Sequence, residues 1–67
     1  MNTIKVIEVL AESDSSWEDA AQVAVSAVSG SIHNLRSLHV SELEAVVEGD
    51  KIALYRINAK ISFLVDH

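Results

Sequence analysis

The residues with most chemical capacity fall in one short stretch. Glu42, Glu44, Glu48 and Asp50 follow one another closely. Hard cations such as Ca²⁺ take several oxygen ligands at once, so Glu42, Glu44 and Asp50 are the candidate metal ligands. Glu42, Glu44 and Glu48 share a parity and project to one side of a regular strand. Charge alternation is equally what a solvated strand face requires, and both readings stand. His33, His39 and His67 lack an i, i+4 or H-x-H spacing and read as surface or interface histidines rather than metal ligands. Ser, His and Asp are all present, but no nucleophile elbow surrounds any of them. With Gly only at Gly30 and Gly49, there is no Gly-rich phosphate loop either. The absence of Cys excludes disulfides and thiolate-bound metal. A catalytic site needs a preorganised concave constellation, for which so short a chain has little room, so no enzyme is expected.

Charge and hydropathy narrow the partners. The net charge of −5 leaves Lys5, Arg36, Lys51, Arg56 and Lys60 outnumbered two to one by carboxylates. A polynucleotide partner needs clustered cations, so none is expected. No apolar run approaches the roughly 20 residues of a membrane span. The opening segment meets Glu8 and Glu12 too early to form the apolar core of a signal peptide. These features predict a soluble, cytoplasmic protein without a membrane partner.

The elements that must position these residues are legible in the hydrophobic periods. Thr3–Leu10 is β-branched and apolar and predicts a strand, with Ala11–Ser15 as a polar connector. Ser16, Trp17, Glu18 and Asp19 have the form of a capping box. Trp17, Ala21, Ala24, Val25, Val28 and Ile32 then form one helical stripe. Gly30 is the expected stop, because glycine tolerates a left-handed backbone. Leu35–Glu48 predicts a long strand. Its apolar phase changes near Ser41–Glu42, which predicts a bulge there. Gly49-Asp50 marks a hairpin turn. Ala53, Tyr55, Ile57, Ala59, Ile61, Phe63 and Val65 alternate with polar Arg56, Asn58, Lys60, Ser62 and Asp66, the pattern of a strand buried on one face. Arg56 in this hairpin is placed to pair with Glu42 or Glu44, or to bind an anion.

This order predicts an α+β fold: a β-α-β-β unit forming one domain over residues 1–67, with a three-stranded antiparallel sheet partly wrapping one helix. A helix of about 13 residues is roughly 20 Å long. Strands of about 14 residues reach roughly 46 Å. One helix cannot cover such a hairpin, and large uncovered apolar surface marks an interaction site. The simplest partner is another copy of the chain in a closed assembly.

The segments K-V-I-E-V, S-W-E-x-A opening an Ala-rich helix, I-x-N-L-R at Ile32–Arg36 and Y-R-I-x-x-K-I-S-F at Tyr55–Phe63 together resemble the dodecin family. The resemblance covers nearly the whole chain. It implies a hollow shell of twelve copies that is not an enzyme and that binds, stores or sequesters a small molecule. In many dodecins the cofactor is a flavin (riboflavin or FMN), stacked in pairs between indole rings of neighbouring subunits. The family's stacking Trp falls here at Ser37, which has no π face. The Gln that meets the flavin's polar edge falls at Arg56, which donates but cannot accept. An Arg used near a flavin phosphate falls at Glu44, which reverses the charge. Ser37, Leu38, His39, Glu44 and Arg56 are therefore the pocket positions the resemblance implies, in altered form. Ser37 and His39 share a strand face and could line a changed pocket. Dodecins without the Trp include a calcium-binding branch, and the Y-R-I segment is similar to it, so Ca²⁺ is the alternative ligand. Trp17 matches the helix-start position, where a packing role is expected.

Overall fold

A computed structural model describes residues 2–65. Asp66 and His67, both named above, lie outside them. The chain runs β1 (Thr3–Ser13), α1 (Trp17–Ser29), β2 (Leu35–Glu48), β3 (Lys51–Val65). The sheet order is β1-β3-β2, and both outer strands run antiparallel to β3. The last strand is thus the central one. That position explains why its alternation is the cleanest in the sequence, since a central strand has neighbours on both edges and a helix over one face.

The helix lies across the odd-numbered residues of β3. Ile57, Ala59 and Ile61 are fully buried there, opposite Ala20 and Ala24 of α1 and beside Ala11 of β1. Three alanines at the contact let the helix backbone approach closely, because each adds only a methyl group to the gap. Ile7, Val9, Trp17, Val28, Leu38 and Val40 close the rim of this core. The even-numbered face has no such cover. On it Ile4 and Val6 are each more than half exposed, and Leu10 is 70% exposed. The molecule measures 51 × 20 × 13 Å. The sheet therefore runs well past a helix of 13 residues.

Helix capping follows the expected chemistry with one change. Ser16 has extended backbone, and its side chain accepts from the Asp19 N–H at 2.9 Å. The Asp19 carboxylate does not complete a reciprocal box. It accepts from Ser13 Oγ at 2.6 Å and so ties the end of β1 to the start of the helix.

Other expectations needed correction. β1 does not end at Leu10. It continues through Ser13, because β3 extends far enough to pair Ala11, Glu12 and Ser13 with Ile57, Arg56 and Tyr55. Gly30 ends the helix with a right-handed backbone (φ −72°) and needs none of glycine's freedom. The left-handed residue of that connection is Asn34, with φ 63°, and its carbonyl accepts from the Leu64 N–H. Gly49 does adopt φ 63°, as the hairpin turn requires. The expected irregularity in β2 lies between Val40 and Glu42, and two further register shifts occur at Leu35/Ser37 and Val46/Val47. The last one matters for the acidic stretch. Glu42 and Glu44 stand opposite Asn58 and Arg56 on the uncovered face. Glu48 comes after the shift and stands opposite Lys51. Equal parity in the sequence does not survive as a shared side.

Candidate functional site

The uncovered face of the sheet is a ladder of cross-strand rows. One row carries Glu8, Lys60 and His39, the next Leu10, Asn58 and Glu42, and the next Glu12, Arg56 and Glu44. Arg56 projects from the central strand with a glutamate on each side. Its Nε and Nη2 donate to Glu12 Oε2 at 2.8 and 2.6 Å, and its Nη1 donates to Glu44 Oε1 at 2.9 Å. The guanidinium fork thereby cross-links all three strands. Hydrogen bonding to Glu12, then to Glu44, raises the Arg56 pKa above its ordinary value. The stabilisation a raised cation provides is present below its unfolded pKa and lost only above its folded one. The clamp therefore does not weaken through Arg56 at any working pH.

The expected pairing of Arg56 with Glu44 is present, but Glu12 is the partner that sequence reasoning missed. It lies 44 residues away from Arg56. Only the strand order brings it alongside, and the sequence carries no direct signal of that order. Glu42 makes no bond to Arg56. It lines, with Leu10, Glu44, Arg56, Ile57 and Asn58, a shallow pocket of about 220 Å³. The Asn58 side-chain oxygen is buried and has no hydrogen-bond partner among the described residues. Asp50, the third proposed metal ligand, is in the hairpin turn and does not join the lining. Among the described residues no three His, Cys, Asp or Glu side chains converge as a metal cage.

Ser37 and Leu38 occupy a second place. With Val25, Leu35, Arg36 and Ile61 they line a groove of about 280 Å³ between the helix flank and β2. The Ser37 hydroxyl is hydrogen-bonded to that of Ser62 across the strands at 2.5 Å. His39 is exposed, opposite Lys60, and lines neither cavity. The five pocket positions implied by resemblance therefore fall into separate places in the subunit. Ser37 and Leu38 form one, Glu44 and Arg56 another, and His39 stands apart.

A third feature is the largest. An open groove of about 610 Å³ runs between the start of α1 and β2, with Trp17, Ala21, Val40 and Leu43 as its apolar surface and Glu18, Ser41 and Glu42 at its polar margin. Trp17 is held by two contacts. Its indole Nε1 donates to the Glu44 carbonyl at 3.0 Å, and its ring meets Tyr55 edge-on at 4.9 Å between centroids. The packing role expected for Trp17 is what its surroundings support.

No helix among the described residues is long and apolar enough to cross a membrane. Comparison with known proteins places these features in a wider set. The family model described as Dodecin matches residues 3–66. A calcium dodecin of Mycobacterium tuberculosis is 35% identical over 63 residues, covering 94% of this chain and 89% of that protein. The fold of a Thermus thermophilus dodecin variant superposes with a TM-score of 0.94 at 18% identity, over the whole of both chains. A dodecin from Streptomyces davaonensis gives 0.92 at 23% identity, over 98% of this chain and 97% of its own. The order of elements, the sheet topology and the match along almost the entire sequence agree, and the chain belongs to the dodecin family.

Proposed function

We propose that this protein is a non-catalytic, homo-oligomeric shell of about twelve subunits that binds and holds a small molecule. The observation that carries the reading is the bare sheet face. Ile4, Val6, Leu10, Val47 and Ile52 are each half exposed or more, whereas six apolar side chains are buried among the described residues. Family membership supports a ligand-binding role over a purely structural one. The ligand need not be a stacked flavin. Ser37 offers no aromatic surface, and Arg56 is held by two carboxylates rather than free to meet a flavin edge. Titrating riboflavin against micromolar protein tests this directly. Its fluorescence is expected to stay unquenched, and strong quenching would restore the flavin reading.

A second reading has a specific observation behind it. Glu42, Glu44 and Asn58 line one pocket, and the two carboxylates offer the hard oxygen donors that Ca²⁺ prefers. The 35% identical relative is named a calcium dodecin. Two donors from the same strand do not fill a coordination sphere of six to eight, so further oxygens would come from water or from neighbouring subunits. Calorimetry with Ca²⁺ should give binding heat that a Glu42→Gln variant abolishes; no heat from the parent protein would dismiss calcium.

A further inference from the structure

The two carboxylates of the shallow pocket reach the open face only because β2 changes register. Before the shift, Leu38 and Val40 stand opposite Ile61 and Ala59 of β3. Continued in that register, Glu42 would stand opposite Ile57 and Glu44 opposite Tyr55, both on the face that packs against the helix. Leu43 would take the open face, opposite Arg56. The extra residue between Val40 and Glu42 is Ser41, and it reverses this arrangement. Leu43 then stands opposite Ile57, and Glu42 and Glu44 stand opposite Asn58 and Arg56.

Two side chains secure the backbone here. Ser41 Oγ donates to the Asn58 carbonyl at 3.0 Å, which ties the extra residue to the central strand. From the start of α1, Trp17 Nε1 donates to the Glu44 carbonyl at 3.0 Å. Glu44 is thus held twice, its backbone by the helix and its carboxylate by Arg56 Nη1 at 2.9 Å. A bulge disrupts the ladder locally, and bonds from outside the ladder offset that loss. Among the described residues the Arg56 side chain bonds only to Glu12 and Glu44, so Trp17 and Ser41 act on it through the backbone of β2.

We propose that Trp17 and Ser41 are positioning residues of the open-face pocket: they hold β2 in the shifted register that sets Glu42 and Glu44 beside Arg56. The proposal rests on the reading of that pocket as a ligand site, and it assigns two residues that lie outside its lining. Groups that orient a ligating side chain from behind govern affinity nearly as strongly as the ligand itself.

The first test needs no ligand. Trp17→Phe keeps a ring against Tyr55 and drops the indole N–H. Ser41→Ala drops the hydroxyl, and Ser41→Thr keeps it. Arg56→Gln is combined with each, and thermal melts are followed by circular dichroism at low salt and one protein concentration. In the parent, Arg56→Gln is expected to lower the melting temperature by a few degrees. In the Trp17→Phe and Ser41→Ala backgrounds that drop should fall to less than half, and in Ser41→Thr it should return in full. A merely structural role for Trp17 and Ser41 would leave the drop unchanged, since separate sites add. Equal drops in all backgrounds, or none in the parent, would overturn the proposal. The second test is calorimetry with Ca²⁺. Trp17→Phe and Ser41→Ala are expected to weaken binding by about tenfold or more, and Ser41→Thr to preserve it. Binding as tight in the first two as in the parent would overturn the proposal. No heat from the parent would remove calcium as the ligand and leave the melts to decide the positioning role.

Discussion

At the scale of single residues, Arg56 shows how a candidate ligand contact is converted into a strand clamp. Its guanidinium bonds Glu12 on one side and Glu44 on the other, so the three strands are joined on the face away from the helix. Arg56→Gln cannot make both charge-assisted contacts and leaves two carboxylates near each other. The variant should melt a few degrees below the parent, with the gap closing in high salt as screening weakens the parent's pairs. An unchanged melting temperature at low salt would show that the clamp contributes nothing. Ser16 offers a cleaner local case. Its side chain satisfies the Asp19 N–H, one of the donors a helix start leaves free. Ser16→Ala is expected to cost about 1 kcal/mol in urea unfolding, and Ser16→Asp to keep most of the stability.

At the scale of elements, the contact between helix and sheet depends on small residues. Ala20 and Ala24 have no accessible surface, and neither does Ala59 beneath them. Ala24→Leu would force the helix off the sheet or its side chain out of a staggered rotamer, at a cost of about 1–3 kcal/mol. Ile57→Ala works the other way, leaving a cavity under the helix, and should cost about 2–5 kcal/mol. Equilibrium unfolding of both variants checks this; an Ala24→Leu protein as stable as the parent would show that the interface is loose. Most of these elements were legible in the sequence because periodicity reports burial. The odd-numbered apolar residues of β3 identified its buried face without any partner in view, and the shift of phase in β2 located the bulge after Val40. What periodicity could not give was the end of β1. Ala11, Glu12 and Ser13 are polar or small, and they are strand only because β3 offers them partners. Gly30 misled for a related reason. Glycine permits a left-handed backbone without requiring one, and here Asn34 takes that conformation.

At the scale of the whole molecule, the candidate site was only half legible. The sequence offered Glu42 or Glu44 as the partner of Arg56, and the fold selects Glu44. The sequence could not place Glu12 there, since pairing across the sheet depends on strand order rather than on local pattern. Nor could it show that Ser37 and Leu38 would line one cavity and Glu44 and Arg56 another, with His39 in neither. Both cavities are small and open on one subunit. That is how parts of a site look when neighbouring chains supply the remaining walls. The whole functional reading therefore turns on self-association. Light scattering on the native protein at micromolar concentration measures this most directly. The expected result is one species near twelve times the 7.3 kDa subunit mass. A folded species of 7.3 kDa, persisting at that concentration with its apolar sheet face open to water, would contradict it.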